Sequence, residues 1–87
     1  DRLVEERGRL MAELANLSVD VWPSASNFVL FRPREHEGVD VWQGLVDRSI
    51  LIRNCASWPR LEGCLRVTIG TPDEDDRFLA ALMEVLA

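Results

Sequence analysis

The tetrapeptide Thr71-Pro72-Asp73-Glu74 constrains this chain more than any other stretch. A threonine at the N-cap, a proline at the first helical position and a glutamate three residues after the cap form a capping box. Asp73 to Asp76 then add negative charge where the helix dipole is positive. A helix is therefore expected from this point to Leu86, with Phe78, Leu79, Leu82, Met83 and Leu86 as its buried stripe. Directly upstream the period changes. Cys64-Leu65-Arg66-Val67-Thr68-Ile69 alternates as a strand does, with Leu65, Val67 and Ile69 on a face suited to a core and Cys64, Arg66 and Thr68 on the other.

The remaining elements follow from periodicity and punctuation. Residues 2 to 17 place Leu3, Leu10, Met11, Leu14 and Leu17 mostly three, four or seven apart among charged residues, which is an amphipathic helix. Val19 to Trp22 is a short alternating segment, stopped by Pro23 and the turn Ser24-Ala25-Ser26. Asn27 to Phe31 follows as a strand, and its run Phe28-Val29-Leu30-Phe31, apolar on both faces, suits a central position. Arg32 to Gly38 reads as a polar loop. Val41, Trp42, Leu45 and Val46 give a short helix ending near Arg48, and Ile50-Leu51-Ile52 reads as a short buried strand closed by Arg53. In the loop from Asn54 to Gly63, Trp58 reads as a packing anchor in preference to a lid over a ligand. The order helix, strand, strand, helix, strand, strand, helix predicts an α/β fold. It is a two-layer sandwich, a small and mostly antiparallel sheet with the helices on one face. The other face is left to present Arg66 and Thr68 outward.

Composition narrows the function. The formal net charge of −5 excludes non-specific nucleic-acid binding, which needs a basic surface. No apolar run approaches the roughly 20 residues of a membrane span, and the charged opening segment reads as helix, not as a signal peptide. Cys55 and Cys64 lack metal-binding spacing and are expected as reduced thiols of a cytoplasmic protein. His36 lies among charges in a loop and reads as solvated. The acidic run Asp73 to Asp76 is no metal site, because successive residues on one helical turn point in different directions. No catalytic residue is assigned. All ten basic side chains are arginine, and the chain contains no lysine.

Two of those arginines carry the chemistry. An arginine in mid-strand among apolar residues asks for an anionic partner, and the planar guanidinium suits a carboxylate or phosphate held by two parallel hydrogen bonds. For Arg66 that partner is either a carboxylate of this chain or an anion from outside it; the strand pattern alone leaves both open.

LIRN (residues 51–54), a proline-containing loop, then LEGCLRVTIGTPDEDDRFLAAL (61–82), together with WPSASNFVLF (22–31), resemble the C-terminal part of histidinol-phosphate aminotransferases. These are pyridoxal-phosphate enzymes of the aspartate aminotransferase fold. The resemblance covers nearly the whole chain. It implies that residues 1–87 are the C-terminal small domain and that the first helix is the end of a long helix leading from a large cofactor-binding domain absent here. It also implies that the lysine forming the Schiff base with pyridoxal phosphate belongs to that large domain, so that this chain alone is inactive. By the same resemblance Arg66 corresponds to the arginine that grips the substrate α-carboxylate, and Arg53 to one that contacts the substrate at its phosphate end. Asn27 lies in a family signature without an implied role. The implied reaction moves an amino group between histidinol phosphate, or its keto form, and glutamate or 2-oxoglutarate, in a homodimeric parent enzyme. Two other readings stand beside it: a free-standing interaction module with this fold and no catalysis, and an aminotransferase for aromatic or other amino substrates.

Overall fold

The computed structural model of the chain describes residues 2–23, 26–55 and 59–87. The opening amphipathic segment forms α1 (Arg2–Ala15), and its apolar side seats Leu10 and Leu14 in the core. Then come β1 (Val19–Val21), β2 (Phe28–Pro33), α2 (Gly38–Asp47), β3 (Arg53–Asn54), β4 (Leu65–Thr68) and α3 (Pro72–Leu86). The four strands form one sheet in the order β1-β2-β4-β3, with every neighbouring pair antiparallel. β2 is central, as its two-sided apolar run predicts.

Strand alternation decides which side is covered. Val29, Phe31 and Pro33 of β2 are buried while Phe28, Leu30 and Arg32 are half-buried. In β4, Leu65 and Val67 are buried, Arg66 is half-buried and Thr68 is exposed. The buried set meets Leu10 and Leu14 of α1, Val41 and Leu45 of α2, and Phe78, Leu79, Ala81 and Leu82 of α3 in one cluster. Phe31 and Phe78 meet edge to face with centroids 5.8 Å apart. α1 packs on β1 and β2, α2 on β2 and β3, and both on α3, so the helices form a single layer. The expected two-layer sandwich is the observed one.

The capping box at Thr71 forms as read: the Thr71 hydroxyl accepts from the Glu74 N–H at 3.2 Å, and the Glu74 carboxylate accepts from the Thr71 N–H at 2.8 Å. Four expectations differ. Arg32 and Pro33, expected in the loop, extend β2 and stand opposite Asp20 and Val19. Ile50-Leu51-Ile52 is not a buried strand; Leu51 is 90% exposed, and pairing with β4 begins only at Arg53. The cause is the end of α2. Ser49 turns left-handed at φ 64°, its N–H and that of Ile50 donate to the carbonyls of Val46 and Leu45, and the Trp42 indole takes the Ile52 carbonyl at 3.0 Å. The segment is thus tied to the helix instead of the sheet. On α3, Met83 is 50% exposed and Leu86 half-buried, while Ala81 is buried. Met83 falls on the flank of the stripe, whose centre one turn earlier is Asp75. Cys64, placed by alternation on the open face, is fully buried. Its carbonyl accepts from the Cys55 N–H at 3.0 Å, and the Arg32 stem runs across neighbouring Gly63. Both cysteines are free thiols, and burial pushes that of Cys64 up.

A polar joint holds α1 to α3. Arg9 grips Glu6 with two hydrogen bonds of 3.0 Å and reaches across to Asp76 at 2.8 Å. Glu6 and Asp75 are buried at 7% and 2% exposure, and Asp75 Oδ1 accepts from the Gly70 N–H at 3.0 Å. Among the described residues no donor faces the buried Asp75 Oδ2, which suits a protonated carboxyl that donates to Glu6. Burial and the hydrogen bond with Glu6 raise Asp75 from its ordinary 3.8 to about 6. The Arg9 guanidinium, then the hydrogen bond with Asp75, lower Glu6 below its ordinary 4.5.

Two predictions follow from these joints. Between pH 3.8 and about 6 the folded state holds a proton on Asp75 that the unfolded chain has lost, so its contribution declines as pH rises through that window. The Glu6 contribution has the opposite sign: it is present above pH 4.5 and is lost as pH falls. Stability should therefore peak between these limbs. Asp75→Asn, which can still accept from Gly70 and donate to Glu6, should abolish the decline towards pH 7 and gain on the order of 1 kcal/mol there, after allowance for solvent screening. Urea unfolding of parent and variant from pH 4 to 8 checks this, and parallel profiles would overturn it. Separately, a left-handed L residue costs roughly 1 to 2 kcal/mol and a glycine loses roughly 0.5 to 1 in chain entropy. Ser49→Gly should accordingly raise the unfolding free energy by about 0.5 to 1 kcal/mol, read from the urea midpoint at constant slope.

Candidate functional site

The face of the sheet opposite the helices is set by register. Across the β2–β4 ladder Phe28 stands opposite Thr68 and Leu30 opposite Arg66; across β4–β3, Arg66 stands opposite Arg53. At the other edge Asp20 stands opposite Arg32, and the Trp22 N–H donates to the Leu30 carbonyl at 3.1 Å. Directly opposed residues share a face. Trp22, Leu30, Arg66 and Arg53 therefore form one row across the sheet, flanked by Phe28 and Thr68 on one side and by Asp20 and Arg32 on the other.

The two arginines singled out from the sequence are thus brought together. Arg66 is half-buried, with its guanidinium carbon 4.8 Å from the centroid of the Phe28 ring, and Arg53 is exposed beside it. Like charges directly opposite in a ladder are unfavourable. A planar guanidinium suits two parallel hydrogen bonds to a carboxylate or phosphate. The exposed Thr68 hydroxyl stands next along the strand. On the same face Asp20 accepts from Arg32 at 3.3 Å, with Arg34 at 3.8 Å from its other oxygen. Arg32 also lies over Trp22, 5.2 Å from the ring centroid.

The other sequence candidates lie elsewhere. His36 is exposed, with Nε2 3.2 Å from the Leu86 carbonyl at the end of α3. The four acids at the start of α3 diverge: Glu74 caps Thr71, Asp75 turns inward to Glu6, Asp76 pairs with Arg9 and Asp73 is exposed. Among the described residues no group of three or more His, Cys, Asp or Glu is placed to hold a metal ion, and no helix is long and apolar enough to cross a membrane. Trp58 lies outside the described residues.

Sequence reasoning passed over two features. One is the apolar company of Arg66, namely Phe28 and Leu30; alternation within β2 was the available signal, hidden because the run is apolar on both faces. The other is a cavity of about 480 Å³ between residues 49–51, the end of β4 and the first turns of α3, lined among others by Leu51, Thr68, Arg77 and Phe78. It needed the displaced 50–52 segment to exist, and neither Arg53 nor Arg66 lines it.

Residues 1–82 match the family model described as aminotransferase class I and II. The chain is 41% identical over 83 residues to the histidinol-phosphate aminotransferase of Aquifex aeolicus (strain VF5), an alignment covering 94% of this chain and 23% of that one. The crystal structure of the histidinol-phosphate aminotransferase from Clostridium acetobutylicum superposes with a TM-score of 0.89 at 29% identity, over 95% of this chain and 26% of that one. A decarboxylase from Sulfurospirillum multivorans superposes with a TM-score of 0.87 at 30% identity, over 97% of this chain and 25% of that one. The chain thus spans about a quarter of the length of the proteins it resembles. With nearly its whole length matched, the chain belongs to the aminotransferase class I and II family.

Proposed function

We propose that residues 1–87 are the small domain of a pyridoxal-phosphate-dependent histidinol-phosphate aminotransferase, in which Arg66 binds the α-carboxylate of the amino donor and Arg53 the phosphate of the phosphorylated substrate. The observation that carries this reading is the register that sets Arg53 opposite Arg66 on the sheet face left open by the helices. The kinship with the Aquifex aeolicus enzyme supports the choice of substrate. In this reading the open face closes over a large domain of the same cytoplasmic, homodimeric enzyme.

Bound pyridoxal phosphate supplies the electron sink for amino-group transfer. The residues of this chain do not fit covalent attachment of that group, because no side chain here carries a primary amine. Its donors on the open face, guanidinium and hydroxyl groups, fit anions instead. Their work is to bind and orient: Arg66 fixes the carboxylate end of glutamate or 2-oxoglutarate, and Arg53 lets the same face accept histidinol phosphate by its phosphate. Partly desolvated on the Phe28 side, Arg66 meets its carboxylate where the charge-assisted bonds are stronger than in water.

The likeness to the Sulfurospirillum multivorans decarboxylase favours one second reading, in which the same arginines hold the anions of an amino acid that loses CO2. Release of CO2 without formation of 2-oxoglutarate would identify it.

In the full-length enzyme, Arg66→Lys keeps the charge but not the two parallel hydrogen bonds. Such bonds to a charged group are worth roughly 1.5 to 3 kcal/mol each, so kcat/KM for glutamate should fall about tenfold to a hundredfold. An unchanged value would make Arg66 structural. Arg53→Ala should penalise histidinol phosphate and largely spare glutamate. The ratio of the two kcat/KM values, in which any loss of folded enzyme cancels, is the measurement. Equal losses would remove Arg53 from the site and with it the case for a phosphorylated substrate.

A further inference from the structure

The geometry points to Phe28 as a positioning residue for carboxylate recognition: its ring holds the Arg66 guanidinium flat on the open sheet face, so that the fork of N–H donors meets an incoming carboxylate by its edge. This rests on the reading of Arg66 given above.

Phe28 has no place in the core. The buried cluster takes Val29 and Phe31 from β2, and Phe28 is neither in it nor among the half-buried apolar residues packed against it. A large ring kept out of the core has its partner on the other face. The β2–β4 register makes it the diagonal neighbour of Arg66, a separation that aromatic and long side chains span. The guanidinium carbon lies 4.8 Å from its centroid, inside the limit of about 6 Å for a cation over a ring. Its end of β2 is pinned as well, for the Ile69 N–H donates to the Asn27 carbonyl at 2.8 Å and ties that end to the exit of β4.

A ring beneath a guanidinium does two things. It occupies the flat face of the cation, where hydrogen bonds are not made, and it removes the rotamers in which a long side chain would swing into solvent. The donors that remain lie in the plane of the guanidinium, and little rotamer entropy is left to lose on binding. The same sheet contains a worked instance: Arg32 lies over Trp22 at 5.2 Å and directs its NH2 to the Asp20 carboxylate at 3.3 Å. For Arg66 the carboxylate is that of the substrate.

The test uses the full-length enzyme with Phe28→Leu, Phe28→Tyr and Arg66→Ala, alone and combined. The readouts are calorimetric binding of glutarate, a dicarboxylate with no amino group to transfer, and KM and kcat for glutamate. Phe28→Leu keeps an apolar side chain without a π face. It should weaken glutarate binding about three- to tenfold and raise KM by a similar factor with kcat held, while Phe28→Tyr binds as the parent does. In the Arg66→Ala background Phe28→Leu should add nothing further. Parent-like binding in Phe28→Leu, with weak binding in Arg66→Ala, overturns the role of Phe28 alone. An equal loss in both backgrounds also overturns it, since it marks general destabilisation. Parent-like binding in Arg66→Ala overturns the carboxylate reading of Arg66 and this inference with it.

Discussion

The antiparallel register between β2 and β4 is the constraint on which the rest of the molecule depends. With Val29 opposite Val67 and Phe31 opposite Leu65, every second pair delivers apolar side chains to the helix layer, and the intervening pairs deliver Leu30, Arg66, Phe28 and Thr68 to the other side. A slip of β4 by one residue would exchange its two faces. It would drive the Arg66 guanidinium among Leu10, Leu45 and Phe78 and expose Leu65 and Val67 to water. Burying an unpaired charge is among the most expensive changes a core can suffer. The sheet therefore has one acceptable register, and the arginine on one face helps to enforce the packing on the other.

That register reaches α3 through a short path. Only Ile69, Gly70 and Thr71 separate β4 from α3, and each is fixed: Ile69 by the Asn27 carbonyl and its place in the core, Gly70 by Asp75, Thr71 by the capping box. The direction of β4 and the entry of α3 are thus set together. The Glu6, Arg9 and Asp75 joint then binds α3 to α1 at the same end of the molecule, and a shift of α1 would be felt where β4 ends. Apolar packing alone would hold the helices against the sheet but leave them free to slide. The charged joint and the capping box fix their axial positions, since hydrogen bonds are directional where apolar contact is not.

What could be read from the sequence was whatever local chemistry decides. The capping box needs only four consecutive residues, and the alternation from Leu65 to Ile69 needs one strand; both came out as read. The one-sided sheet and the exposure of Thr68 follow from those two signals and the order of elements. The misplacements share a different cause. Ile50 to Ile52 looks like a strand by composition, yet the turn at Ser49 and the Trp42 indole engage it first, and neither partner is visible within the segment. The burial of Glu6 and Asp75 is not legible in the sequence, because helical periodicity marks burial by apolar residues. Their burial depends on each other and on Arg9, which only the packing of α1 on α3 brings together. Cys64 was misplaced for the same reason, since alternation predicts a face and not what lies over it.

The register sets two like charges, Arg53 and Arg66, opposite each other in the ladder. The core does not require the second arginine: in this register a threonine or valine at position 53 would serve the ladder without like charges opposed across it. The fold tolerates the pair because its cohesion lies elsewhere, in the apolar layer between sheet and helices and in the joint at the end of α3. That separation makes the open face available for chemistry, for side chains there can be chosen for what they bind without disturbing what holds the chain together. Local conflict in an otherwise self-consistent structure is where function is expected. Here it is the face on which Arg53 and Arg66 stand opposed.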